Sequence, residues 1–160
     1  MNDNFRGRLS STGDIHNYLT AGRGTMTVVS KASGARFTYK LKRAPDKLKL
    51  EVAEQERPIF VSVLTGPDNE ADYKFLGTIR QVNQSSMLTY AYSYKSKISI
   101  SSLSAIAFKW LIKAYNEFPD KLLEEAEIWH EGRCGRCGRK LTVPSSIQRG
   151  FGPECIGRMS

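Results

Sequence analysis

Apolar and polar side chains alternate along much of the stretch from Thr25 to Lys95, and the period lengthens after Ser101. From Ala35 to Lys42, the residues Ala35, Phe37, Tyr39 and Leu41 fall on one side and Arg36, Thr38, Lys40 and Lys42 on the other. This is the pattern of a half-buried antiparallel strand with a basic outer face. Thr25 to Ser30, rich in β-branched residues, precedes it across a Lys31-Ala-Ser-Gly34 turn. Arg43-Ala-Pro45 ends it, and Lys47 and Lys49 extend the basic zone. Arg57 to Thr65, built on Ile59–Leu64, reads as a more buried strand. Ala71 to Arg80 alternates again, with Tyr73, Phe75 and Ile79 set against Lys74, Thr78 and Arg80, and Gly77 marks a bulge or a close approach. Met87 to Lys95 puts Leu88, Tyr90, Tyr92 and Tyr94 on one face. The expectation is a five-stranded, mainly antiparallel sheet.

After Ser101 or Ser102, either of which suits a helix N-cap, apolar residues recur at helical spacing: Leu103, Ile106, Ala107, Trp110, Leu111, Ala114, Tyr115 and Phe118. This stripe predicts a helix lying on the sheet with Trp110 in the core. Pro119-Asp120 interrupts it, and Lys121 to Ile128 reads as a second helical segment leading into Trp129. Residues 1–24, with Gly7, Gly13, Gly22 and Gly24, read as an irregular arm in which Ile15–Leu19 can pack as one turn. The predicted class is α+β. The predicted organisation is an arm over 1–24, a core domain over 25–127 and a small module over 128–160.

That module breaks with both periods. It reads His130-x3-Cys134-x2-Cys137-x17-Cys155 and holds every cysteine of the chain. Two thiolates two residues apart can grip one metal ion, and Gly138 after the second permits a tight, left-handed turn. Pro153 suits the first turn of a short helix, which sets Cys155 near an N-terminus whose free N–H groups favour a thiolate. A tetrahedral site takes four ligands. His130 is the expected fourth, with Glu131, Glu154 or a water as alternatives. A redox CxxC would open a helix after a strand, whereas Gly135, Gly138 and the flanking arginines point to a loop. The expectation is one structural Zn²⁺ in a treble-clef-like or ribbon-like module, bound by His130, Cys134, Cys137 and Cys155.

The run from Gly132 to Cys155 resembles a family of domains of unknown function, widespread in bacteriophage and prophage proteins, with the pattern C-x-x-C-G-R-x-L-T-x-P-x-S-I-x-x-G-x-G-P-x-C. Leu141, Thr142, Pro144, Ser146, Ile147, Gly150, Gly152 and Pro153 all fall on that pattern. Phe37-Thr-Tyr-Lys40 and Leu64-Thr-Gly-Pro-Asp-Asn69 are also similar to small phage proteins that carry such a tail. The resemblance implies a zinc site and a phage origin. It supplies no activity.

Composition narrows the class. The 160 residues are 40% hydrophobic and 25% charged, as in a globular protein, and no apolar run approaches a membrane span. Met1 to Arg8 has no apolar region of a signal peptide. With its thiols set aside for metal, the chain is expected in a reducing cytoplasm, that of the host cell if it is phage-encoded. Net charge is +8, unevenly spread: residues 1–50 carry ten Lys or Arg against three Asp or Glu, and residues 130–160 carry six against two. Two basic zones suggest an anionic partner, most simply DNA or RNA.

The candidate nucleic-acid contacts are Arg36, Lys40, Lys42 and Arg43 on the strand, and Arg136, Arg139, Lys140 and Arg149 around the metal loops, with Phe151 available to stack on a base. Two other groups have simpler readings. The row Tyr90, Tyr92 and Tyr94 is first a packed face under the helix and only second a stacking platform. Asp68, Asn69, Glu70 and Asp72 could gather Mg²⁺, but Gly66-Pro-Asp makes an ordinary turn. His16, far in sequence from the cysteines, reads as a surface histidine. No P-loop, dinucleotide fingerprint, nucleophile elbow or HExxH is present, so no enzyme is expected. The sequence therefore predicts a small zinc-stabilised nucleic-acid-binding accessory protein. The competing class is an interaction protein that blocks a host factor or defence complex, such as a nucleic-acid-guided nuclease.

Overall fold

The computed structural model describes residues 6–46, 57–68, 70–83, 85–141 and 144–158. Lys47, Lys49 and Asn69 lie outside the described residues. The five stretches of alternation form strands β2 (Thr25–Ser30), β3 (Arg36–Arg43), β4 (Ile59–Leu64), β5 (Tyr73–Gln81) and β6 (Leu88–Tyr92). Two strands were not foreseen, β1 (Gly7–Arg8) and β7 (Ala126–His130). All seven join one antiparallel sheet in the order β1-β7-β2-β3-β4-β5-β6. The expected five-stranded sheet is thus a seven-stranded one. β1 is too short to carry a period. β7 alternates cleanly, with Ala126, Ile128 and His130 buried and Glu127 and Trp129 outward, but it directly follows a helical run that masks the change. That run ends at Glu125: α3 is Pro119–Glu125, and Ala126 is already extended at φ −140°.

The N-terminal segment is likewise more ordered than its glycines suggest. Thr12–Ala21 forms helix α1, whose N-cap Ser11 accepts a hydrogen bond from the Asp14 N–H at 3.1 Å. Ile15, Tyr18 and Leu19 are buried at the i, i+3, i+4 spacing. His16 joins α1 to the next helix, its Nδ1 hydrogen-bonded to the Tyr115 hydroxyl and its ring stacked on Tyr115 at 6.1 Å.

Helix α2 (Leu103–Glu117) begins where the sequence places it, with Ser102 accepting from the Ala105 N–H. Its buried face differs from the predicted stripe. Phe108, Leu111, Ile112 and Tyr115 turn inward, and Phe108 meets Tyr39 at 4.8 Å and Tyr90 at 5.2 Å. Leu103 and Ile106 stay 72% and 50% exposed, and Trp110 is only half-buried. α2 has more apolar positions than one face can hide, and the face chosen is the one that meets the ring pair on the sheet. Tyr90 and Tyr92 pack as the favoured reading had them, with the Tyr92 hydroxyl bonded to the Ile98 carbonyl; Tyr94 lies past the end of β6 in solvent.

One irregularity re-sorts a whole strand. The β4–β5 register shifts between Val61 and Ser62, so that Val61 pairs with Gly77 and Ser62 with Phe75. A Cβ on Gly77 would collide with the Ala91 carbonyl of β6, which fits glycine at this bulge. The extra residue reverses the alternation. Tyr73 and Phe75 share the outer face with Phe60 and Ser62, while Leu76 and Ile79 face the core. The predicted grouping of Tyr73 and Phe75 with Ile79 does not hold for that reason.

Two substitutions separate the buried from the exposed face of α2. Phe108→Ala is expected to lower stability by about 3–5 kcal/mol. Leu103→Ala should stay within about 0.5 kcal/mol of the parent. Urea denaturation read by tryptophan fluorescence checks both, and equal losses would contradict the described face.

Candidate metal centre

The chain leaves the sheet through His130, the last residue of β7, and turns at once into the cysteine loop. The His130 ring is buried. Its Nδ1 accepts from the Gly132 N–H at 3.1 Å, so the ring proton sits on Nε2, which donates to the Ile147 carbonyl. Burial holds this histidine below its ordinary titration range, against the pull of that carbonyl. The ring is neutral and both nitrogens are engaged by backbone.

An isolated antiparallel bridge, Arg133 to Lys140, closes the loop. Inside it the Cys134 N–H donates to the Arg139 carbonyl and the Gly138 N–H to the Cys134 carbonyl, both at 2.9 Å. Gly138 takes φ +78°, the left-handed turn that the position after a second knuckle cysteine calls for. Two short helices follow, α4 (Pro144–Arg149) and α5 (Pro153–Arg158). Pro153 opens α5, as its position predicted, and brings Cys155 back to the loop.

The sulfur atoms of Cys134, Cys137 and Cys155 all lie within 4.8 Å of one another. Corners of a tetrahedron about an ion with metal–sulfur bonds of about 2.3 Å are separated by roughly 3.8 Å. Three thiolates so placed fit a thiophilic metal ion after a small inward closure. Burial alone would push the Cys134 thiol up, but the N–H groups of Gly152, Cys137 and Arg136 and the Cys137 thiol hold it below the ordinary value. The Gly152 N–H reaches the Cys134 sulfur at 3.4 Å. Cys155 goes the other way: burial and the neighbouring thiols raise it, in spite of Arg136 Nη1 at 3.8 Å from its sulfur and its place in the first turn of α5.

Among the described residues, the three-sulfur group does not include His130, the expected fourth ligand. Glu131 is also committed elsewhere. Its carboxylate meets Arg6 at 2.9 Å and accepts from Thr27 at 2.5 Å. The cluster opens instead on a cleft of about 240 Å³ bordered by Leu141, Ser146, Gly152 and Glu154. The Ser146 hydroxyl is buried there with no hydrogen-bond partner among the described residues. Of the alternatives read from sequence, Glu154 and a water remain.

The predicted nucleic-acid contacts divide. Arg36, Lys40 and Lys42 are exposed on the outer face of β3. Arg139 and Lys140 are exposed beside the sulfur cleft, Arg149 is exposed at the end of α4, and Arg136 turns toward Cys155. Two residues do not qualify. Arg43 is 4% exposed and donates to the carbonyls of Thr20 and Arg57, because it falls on the inward side of β3 with Tyr39 and Leu41. Phe151 is 3% exposed and packs edge-on against Tyr18, so its ring is not open to a base. The acidic loop is a turn: Asp68 accepts from the Glu70 and Ala71 N–H groups and Asp72 from the Asp68 N–H. Sequence reading missed Phe60, Tyr73 and Phe75 as an outward group. Its only sign was Gly77, which marks the bulge that turns two of them over.

These features define an α+β protein with a C-terminal three-cysteine group able to hold a metal ion. Residues 125–160 match a family of unknown function, DUF6011, a span that runs from the end of α3 through the cysteine loop and both short helices. No curated protein and no solved structure matches the chain significantly. No helix of the described residues is long and apolar enough to cross a membrane.

Two substitutions separate ligand from support. Cys137→Ser is expected to abolish the thiolate-to-metal charge-transfer bands of a Co²⁺ titration. His130→Gln should keep those bands at one ion per chain while lowering stability by about 1–3 kcal/mol, because a buried donor and acceptor lose their partner. Loss of the bands in a folded His130→Gln protein would restore histidine as a ligand.

Proposed function

We propose that this chain is a zinc-stabilised nucleic-acid-binding accessory protein. The metal is read as Zn²⁺ from the donor set, three thiolates in a loop closed by tight turns, with Glu154 or a water completing the tetrahedron. Its role is to hold the C-terminal loops together, as is usual where binding and folding are coupled. The phage origin rests on sequence resemblance alone, that of the motif in those loops and the looser one of Phe37–Lys40 and Leu64–Asn69.

One observation carries the nucleic-acid reading. The outer positions of β3, β4 and β5 present Arg36, Lys40, Lys42 and Arg80 and no carboxylate. Cations on a sheet face whose described strand positions carry no acid favour a polyanion, and lysine and arginine contacts to phosphates carry little sequence preference. Arg139 and Lys140, at the rim of the sulfur cleft, add a second zone. A second reading, an interaction protein directed at a host factor, finds support in Leu103 and Ile106, the apolar side chains left in solvent on α2.

If Arg36, Lys40, Lys42, Arg139 and Lys140 each neutralise a phosphate, log affinity should fall with log salt at a slope of about −4.5 on duplex DNA. Lys40→Ala with Lys42→Ala should flatten that slope by about 2 units and weaken binding to all sequences alike. Fluorescence anisotropy over a salt series measures it. No binding to duplex or single strands at low salt, with zinc confirmed by elemental analysis, would leave the interaction-protein reading. Near-stoichiometric capture of a host protein that survives nuclease treatment would favour that reading directly.

A further inference from the structure

We propose that the outer face of β3, β4 and β5 binds unpaired nucleic-acid strand, DNA or RNA, by stacking bases on Phe60 and Phe75 between phosphate contacts to Lys40 and Lys42. This inference rests on the nucleic-acid reading above and narrows it to a substrate class.

The argument begins with the bulge at Gly77, which brings Tyr73 and Phe75 to the side of the sheet that carries the lysines. Register then fixes the neighbours. Lys42 lies opposite Phe60, Lys40 opposite Ser62, and Ser62 opposite Phe75. Together with Tyr73 these residues line a shallow cleft of about 460 Å³. None of the three rings is fully buried. Tyr73 is already covered, since the Lys40 ammonium sits 5.5 Å from its ring centre. Phe60 and Phe75 stand edge to face at 6.0 Å, which leaves ring surface toward solvent. The described helices meet the sheet through its inner residues, as Phe108 does with Tyr39 and Tyr90.

Position in the sheet decides between strand types. β4 is flanked on both sides by paired strands, the third strand from one edge and the fifth from the other in the sheet order. A major groove about 12 Å wide admits a helix or a two-stranded ribbon. Strands spaced about 4.8 Å apart make this platform wider than that, so its central rings cannot reach base edges inside a duplex. Bases already out of a stack can reach them. Stacking on aromatic rings with cations on the backbone is the usual chemistry of such contacts and tolerates any base.

The test is anisotropy with fluorescent dT20 and rU20 strands and a 20-base-pair duplex, on the zinc-loaded full chain. The wild type should bind at least one of the single strands about 10-fold or more tighter than duplex. Whether the DNA or the RNA strand binds tighter identifies the source. Phe60→Leu with Phe75→Leu, which keeps apolar bulk, should erase that preference and leave duplex affinity and its salt slope unchanged. As a control that needs no variant, photo-crosslinking of a 4-thiothymidine strand to the wild type should mark the peptides holding Phe60 or Phe75. Equal affinity for strand and duplex, an unchanged preference in the folded double variant, or crosslinks confined to residues 130–158 would overturn the inference while the broader nucleic-acid reading stands. Absence of binding to all three probes would overturn both.

Discussion

The rest of the structure depends on one buried junction, where the Tyr18 ring meets His130 at 5.8 Å and Phe151 at 5.9 Å. The Tyr18 hydroxyl takes a hydrogen bond from the Thr25 N–H at 3.1 Å and donates to the Arg133 carbonyl at 2.6 Å. One side chain from α1 thus ties the start of β2 to the first turn of the cysteine loop. Burial pushes its ionisation far up, so it remains a donor at any ordinary pH. The loop needs this support. Beyond the cysteines, its described buried apolar residues are Leu141 and Phe151, too few to make a core. It borrows one from α1 and β7, and backbone bonds seal the seam: the Arg23 N–H to the Gly135 carbonyl at 2.8 Å, and the Glu131 N–H to the Thr25 carbonyl at 2.8 Å.

The same junction explains why a histidine four residues before a knuckle cysteine is not in the sulfur group. His130 belongs to the sheet. It pairs with Gly7 on one side and Met26 on the other, and its ring is aimed at the carbonyl of Ile147 in α4. Sequence spacing measures distance along the chain, and at a strand end the side-chain direction is set by the ladder instead. Spacing alone places the thiols because CxxC is a local geometry. It does not place the imidazole, whose direction the ladder sets.

Other parts of the chain divide in the same way. The period of β3 was legible down to its outward lysines, and it also contained the correction for Arg43, an odd-numbered position on the side of Tyr39 and Leu41. Thr38 points outward with Lys40, as its period has it, yet it is buried, because on that face it bonds Thr27, which in turn bonds Glu131. That network spans β2, β3 and the residue after β7, and no local pattern encodes it. α1 carried a cap and an apolar face that its bordering glycines obscured. β7 was hidden by the helix before it. The bulge in β5 was visible as a glycine, but its consequence, which side each ring faces, depends on the partner strand.

The outer face itself is divided, and the division bears on what it meets. On the β1–β7 half, the acids Glu127 and Glu131 are answered by Arg8 at 3.8 Å and Arg6 at 2.9 Å, and Arg6 also lies over the Trp129 ring at 4.9 Å. Charge there is internally balanced. Across β3 to β5 the described strands carry no acid of their own, although Glu131 and Glu70 act on Tyr73, the ring under Lys40. Lysine on an edge strand can be explained as protection of unpaired backbone against a second sheet. Lys40 and Lys42 sit on β3, which is paired on both sides, so they have no edge to protect. Nor does solubility require them beside half-exposed aromatic rings, where a polar uncharged residue would serve as well. On the nucleic-acid reading proposed above, rings and cations together on this face would meet an occupant with both flat apolar faces and negative charge.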